Sequence, residues 1–236
     1  MAKGNPNLIT FNRTDFSISS YIEDVCKEIA DHFKVQRRYV RQFCTLIRGS
    51  RSWDMENMDE KLDGWSKKME VVPESANFVR LITKAFKICQ NADDIKHLRG
   101  GMVEALVIGS CGGSSILESN QYGWGASVTI NKEDSYTVRY SCSERKSEEC
   151  TNRLTVDVGH WNGYHGRFYE CKVNPVAVGC KENNYMITLD ECLKNNSISH
   201  EMFFVCAESH ERVKMILEEK GIEKQFKPLG YDTLFA

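Results

Sequence analysis

The sequence predicts a mixed α/β protein with a helical N-terminal region, on three observations. Apolar residues recur at helical spacing through most of residues 16–108, the pattern after Gly109 turns to β-branched and aromatic alternation, and helical segments then interleave with the later strands. At 236 residues, with 41% apolar and 27% charged content, the chain has the material for a core and lacks the composition of a disordered segment.

The helical region opens at Ser20 and Glu23, which have capping-box spacing; Ile22, Val25, Cys26 and Ile29 follow at intervals of one helical face. Further helices are expected over 36–48, 54–70, 75–90 and 94–108. Gln90-Asn91-Ala92 breaks the pattern and divides the chain into a helical region, 1–90, and a second region, 91–236. Strands are expected over 125–131, 135–141, 153–159 and 166–173, with Lys132-Glu133-Asp134 as a tight connection between the first two. Thr188 and Glu191 repeat the capping-box spacing and predict a short helix through Leu193 and Lys194. A compact apolar strand, 202–207, precedes a closing helix that presents Val213, Ile216 and Leu217 on one face and stops at Gly221.

The net charge of −2 means that nucleic-acid contact must come from a local basic patch. No apolar run is long enough to span a membrane and the N-terminus lacks the order of a secretory signal, so a cytoplasmic location is expected. The ten cysteines include no C-x-x-C pair, which argues for buried thiols over zinc ligands or disulfides.

Charges inside the strand patterns raise the functional question. In RLTVDVG, two-residue alternation puts Leu154, Val156 and Val158 on one face and Arg153, Thr155 and Asp157 on the other. In RFYECKV, Tyr169, Cys171 and Val173 share a face opposite Phe168, Glu170 and Lys172. If the acid-bearing faces meet, Asp157 and Glu170 converge with Lys172 beside them, and two close carboxylates need positive charge between them. A hard divalent cation would supply it; a solvated face with ordinary cross-strand neighbours is the alternative. Glu-x-Lys spacing occurs at Glu144/Lys146, Glu170/Lys172 and Glu218/Lys220, but only the second pair lies in an apolar strand with an Asp thirteen residues earlier. Glu104 is the one charge between Gly100 and Gly109, and a carboxylate in so apolar a helix needs a partner or an outlet to water.

A helix carrying Glu104, strands carrying Asp157 and then Glu170-x-Lys172, and a following helix and strand resemble the PD-(D/E)XK nuclease superfamily over roughly 94–207. The chain departs from that pattern in having Val156 where Pro often precedes the Asp, and in a longer β segment around 125–141. The resemblance implies a restriction-endonuclease-like mixed sheet flanked by helices and Mg²⁺-dependent phosphodiester hydrolysis, with Mn²⁺ as a substitute. Asp157, Glu170, the Cys171 carbonyl and Glu104 would hold metal, and Lys172 would orient the water or stabilise developing charge. The expected activity is a DNA endonuclease of restriction or anti-phage type. A repair or structure-specific nuclease, an RNA nuclease and a non-catalytic DNA-binding regulator on the same fold are the alternatives. Cutting both strands of a duplex favours a homodimer.

Two stretches read as nucleic-acid contacts. Between the acids, His160, Trp161, Tyr164, His165 and Arg167 form an aromatic, basic loop; the two histidines lack further ligands at zinc spacing. Near the N-terminus, Ile29, Ala30, Phe33, Val35, Val40 and Phe43 fit two short helices around a turn, similar to a helix-turn-helix. Its second helix would present Gln36, Arg37, Arg38, Tyr39, Arg41 and Gln42, and residues 1–51 hold nine Lys/Arg against five Asp/Glu. The glycine-rich stretch 109–115 lacks a P-loop lysine, so no nucleotide cofactor is expected and the stretch reads as a flexible connection.

Overall fold

The computed structural model of the chain describes residues 4–15, 18–142 and 152–236. Glu144, Lys146 and Cys150 lie outside the described residues. Helices α1 (Ser20–Val35), α2 (Val40–Gly49), α3 (Met58–Glu70), α4 (Ala76–Lys87) and α5 (Ala92–Cys111) form the expected N-terminal helical region. Strand β1 (Ile9–Arg13) precedes them, and β2 (Tyr122–Asn131), β3 (Ser135–Thr137), β4 (Thr155–Trp161) and β5 (His165–Lys172) follow. Then come α6 (Cys180–Asn195), β6 (Ser199–Cys206), α7 (His210–Glu219) and β7 (Lys227–Leu229).

The seven strands form one mixed sheet in the order β1-β2-β4-β5-β6-β7, with β3 paired to β2. Pairings from β1 to β5 are antiparallel; β5–β6 and β6–β7 are parallel, because α6 and α7 carry the crossovers. Val158, Tyr169, Cys171 and Val205 pack into the core of α1–α5. Ile9, Val128, Phe168 and Phe204 pack with Tyr185 and Leu189 of α6 and Val213 of α7. The sheet is thus the middle of three layers. In the helical layer Phe33 meets Phe43 and Phe78 with ring centroids 4.9 and 5.9 Å apart, each ring being fully buried and contributing ~1.5–3 kcal/mol.

Hydrophobic packing runs across the division expected at residue 90. Asn91 caps α5, accepting from the Asp94 N–H at 2.9 Å, while Leu98, Met102 and Ala105 share one core with Ile22, Cys26 and Ile29 of α1. Residue 91 is therefore a helix start rather than a seam between cores. Glycine permits the close approach of α1 to α5: a Cβ on Gly101 would stand 2.8 Å from the Cys26 Sγ, and one on Gly109 2.8 Å from the Ala30 carbonyl.

Several expectations need correction. β1 and β7 were not expected; both are short edge strands. The helix expected over 188–194 is the last part of α6, which starts at Cys180 because the Glu182 Oε2 accepts from the Gly179 N–H at 3.1 Å. The strand expected over 135–141 ends at Thr137, with Tyr140 bridged to Arg153. The glycine-rich stretch is tied rather than flexible, since Ser114 donates from N and Oγ to the Asp31 carboxylate at 2.7 Å each. The described cysteines are free thiols.

Alternation also fails at the centre of β4. Val158 belongs to the α1–α5 core and Val156 to the opposite one, while Leu154 is 40% exposed. Opposite, Trp124 and Ala126 of β2 are divided in the same way on either side of Gly125, whose φ of 54° is left-handed. The strand pair switches faces there, and Asp157 stands at the switch.

Candidate active site

β4 and β5 pair from Trp161–Gly166 to Val158–Tyr169 and then part. Asp157 fills the opening: its Oδ2 accepts from the Cys171 N–H at 2.7 Å, taking the place of a ladder bond. Glu170, fully buried, lies on the β5 side of the gap. One guanidinium joins the two acids. The Arg153 Nη2 donates to the Asp157 Oδ1 and to the Glu170 Oε2 at 2.8 Å each, and its Nη1 donates to the Glu170 Oε1 at 3.2 Å. Lys172 donates to the Glu170 Oε1 at 2.6 Å, and Glu182 of α6 pairs with Lys172 at 3.4 Å and Arg153 at 3.5 Å. From the other layer, Glu104 of α5 accepts from the Trp124 Nε1–H.

The electrostatics follow from this crowding. Burial, then the charge of Asp157, pushes the Glu104 carboxyl up to about 8; the same two causes push Glu170 up to about 7 despite Lys172 and Arg153. For Lys172 burial works against the charge, but Glu170 and Asp157 more than offset it and hold the ammonium well above its ordinary range. Lys172 and Arg153 bring the Glu182 carboxyl down against its own burial.

The site opens on a cleft of about 310 Å³ whose floor includes Glu104, Asp157, Cys171 and Lys172. Arg51, from the turn after α2, and Lys96 and Arg99 of α5 line its mouth. Sequence reading missed all three. Lys96, Gly100 and Glu104 recur every four residues along one helical face, and that spacing was a readable signal. It also missed the roles of Arg153 and Glu182; placing Arg153 on the Asp157 face was the available clue, whereas nothing in the sequence marked Glu182.

The two expected nucleic-acid stretches lie elsewhere. His160, Tyr164, His165 and Arg167 do not line the cleft. The hairpin end at Trp161 is four residues from Asp157, ~13 Å at strand rise, on the side away from the gap. His160 stacks on Tyr122 with centroids 4.1 Å apart, and its imidazole is lowered by burial and then Arg167. His165 bonds Ser199 at 2.8 Å and Glu201 at 3.1 Å, Arg167 pairs with Glu201 at 3.6 Å, and Tyr164 is exposed. Trp161 is buried and donates to the Asn5 carbonyl at 2.9 Å.

The recognition-helix expectation is corrected. α2 begins at Val40, so Gln36, Arg37, Arg38 and Tyr39 form the turn before it. Tyr39 is 1% exposed, stacks on Phe78 at 5.2 Å and donates to the Pro73 carbonyl at 2.6 Å; its burial fixes the turn. Arg37 donates to the Phe235 carbonyl at 3.2 Å, Arg38 pairs with Glu74 at 3.1 Å, and Gln42 is half-buried. Arg41 is the exposed member on α2 itself.

The chain is a mixed α/β protein in which a helical layer and a split sheet enclose an acidic cluster. It matches no protein-family model, and no curated protein matches it in sequence. Among solved structures it is similar to the crystal structure of protein VC1899 from Vibrio cholerae, with a TM-score of 0.39 and 13% identity. That alignment covers 97% of this chain and 56% of the other, so the chain spans just over half the length of the protein it resembles. A likeness at that level assigns no activity. Among the described residues, no helix is long and apolar enough to cross a membrane.

Proposed function

We propose that the chain is a metal-dependent nuclease of the PD-(D/E)XK type, acting on DNA. The observation that carries this is the meeting of Glu104, Asp157 and Lys172, from one helix and two parting strands, at a single cleft, with Glu170 buried behind them and bonded to Lys172. The element order from α5 through β2, β4, β5, α6 and β6 agrees with the order expected of that superfamily.

The donor set fits a small hard cation. Glu104 and Asp157 line the cleft, and Glu104 and Glu170 are pushed up by burial and by the charge of Asp157, which a divalent ion would offset. Among the described residues no three ligand side chains form a ready metal cage, because Arg153 and Lys172 take up the Glu170 oxygens. Mg²⁺ needs only one or two carboxylates plus waters, which Asp157 and Glu104 provide. Mg²⁺, or Mn²⁺ in its place, would supply a water of lowered pKa and offset charge on the scissile phosphate. Lys172, held charged by Glu170 and Asp157, is the group that orients that water or meets the developing oxyanion. Glu182 and Arg153 position Lys172 and Glu170 from behind. Two copies would cut the two strands of a duplex together.

The test is nicking of supercoiled plasmid with Mg²⁺ or Mn²⁺. Lys172→Ala and Asp157→Asn are expected to lower the rate by about a hundredfold or more, with helical content and DNA binding retained. A second reading, a DNA-binding regulator without catalysis, is favoured by Arg153 already neutralising the acid pair. DNA binding by wild type with no cutting under any divalent metal would select it.

A further inference from the structure

We infer that Arg51, Lys96 and Arg99 form the site that grips the phosphodiester backbone beside the acidic cluster. This rests on the nuclease reading for its substrate and names the residues that would hold it.

Three features converge on the mouth of the cleft. First, cations gather at the cleft: Arg51 comes from the turn after α2, and Lys96 and Arg99 from the first half of α5. Arg51 and Lys96 are exposed. Second, the arginines are close enough to oppose one another. Burial, then Arg51, brings the Arg99 guanidinium below its ordinary range. Arg99 donates from Nη1 to the Ser50 carbonyl at 3.3 Å, while its buried Nε has no hydrogen-bond partner among the described residues. Two guanidiniums that line one cleft are the complement of an anion bound there. Third, there is room. Gly100 lines the cleft between Lys96 and Glu104, and a Cβ built on it meets no atom within 4 Å.

Placement relative to the acids suits a polymer rather than a free phosphate. Lys96 and Glu104 are eight residues apart on one face of α5, ~12 Å along the axis. That separation exceeds one nucleotide step, so a backbone held at the rim would extend its chain over Asp157 and Lys172. DNA and RNA share this chemistry.

The experiment is fluorescence anisotropy with a labelled DNA duplex in EDTA, where no cleavage occurs, over a salt series. The charge reversals Arg51→Glu plus Lys96→Glu lie on exposed side chains and leave the core untouched. They are expected to weaken binding by about tenfold or more and to flatten the log–log salt slope by about 2. The matched reversal Arg212→Glu plus Lys214→Glu, on α7 in the opposite layer, should leave both unchanged. Gly100→Leu, which fills the cleft without a clash at Cβ, should also weaken binding while the circular dichroism spectrum is retained. A same-sequence RNA duplex run in parallel identifies which backbone is held; the rim effect on either sustains the inference. Rim variants that bind like wild type, or wild type that binds neither duplex, overturn it. Because cleavage is not read, binding lost at the rim in a protein that never nicks would sink the nuclease reading alone. Normal nicking with rim variants of full affinity would sink this inference alone.

Discussion

Glu170 on β5 meets Arg153 and Lys172, and Glu201 on the adjacent β6 meets Lys227, His165 and Arg167, yet their carboxyls shift in opposite directions. Glu170 is pushed up to about 7, by burial and then by Asp157. Glu201 is brought down, first by its hydrogen bond from Lys227. Counting cations would have put the two alike. What separates them is burial: Glu170 is fully buried and a second carboxylate shares its site, whereas Glu201 is partly exposed beside exposed partners. Burial with crowding is what sets Glu170 apart from an ordinary ion-pair ladder, and the proposed metal site draws on that difference.

The comparison breaks or sharpens most strongly at Arg153. Arg153→Met removes the cation shared by Asp157 and the fully buried Glu170, and should cost about 3–5 kcal/mol in urea unfolding at pH 8. At pH 5.5 Glu170 can take up a proton instead, so the loss should shrink; a loss independent of pH would mean that Arg153 acts through packing alone.

Next in size is the pH dependence of stability. Glu104, at about 8, and Glu170, at about 7, both stand above the ordinary value of 4.5, so the fold favours their protonated forms. Their stabilising contribution is full below pH 4.5 and is lost as pH rises through 7 to 8. Glu104→Gln, neutral throughout, should flatten that decline and raise the melting temperature at pH 8.5 relative to wild type. A variant with the wild-type slope would show that Glu104 is not held protonated.

Smallest is the surface ladder. Glu201→Gln should change stability by less than about 1 kcal/mol, because water screens partners as exposed as Lys227 and Arg167. The little that is lost should vanish in 1 M salt.

Much of the fold was legible because burial leaves a period in the sequence. α1, α3, α4 and α5 and strands β2, β4, β5 and β6 all carry one. β1 and β7 are short edge strands, and too few residues repeat in them for a pattern to stand out. Within the site, Glu104, Asp157, Glu170 and Lys172 were legible as charges set in apolar runs. Arg51 and Arg99 were not, since single cations on helices and turns look alike wherever they fall, and Lys96 was marked only by its four-residue spacing to Gly100 and Glu104. The turn at 36–39 misled for a related reason: its arginines read as an outward helical face, but Tyr39 packs on Phe78 and delays α2 to Val40. The strand period itself failed at Asp157, where the opposing Gly125 lets the pair change faces.

The nuclease reading needs Asp157 and Glu104 to hold a divalent cation, and calorimetric titration with Mn²⁺ at pH 8 addresses that directly. A saturable Mn²⁺ site is expected in wild type, lost in Asp157→Asn and tightened in Arg153→Met, where the competing guanidinium is gone. No uptake of Mn²⁺ by wild type, or equal uptake by Asp157→Asn, would contradict it.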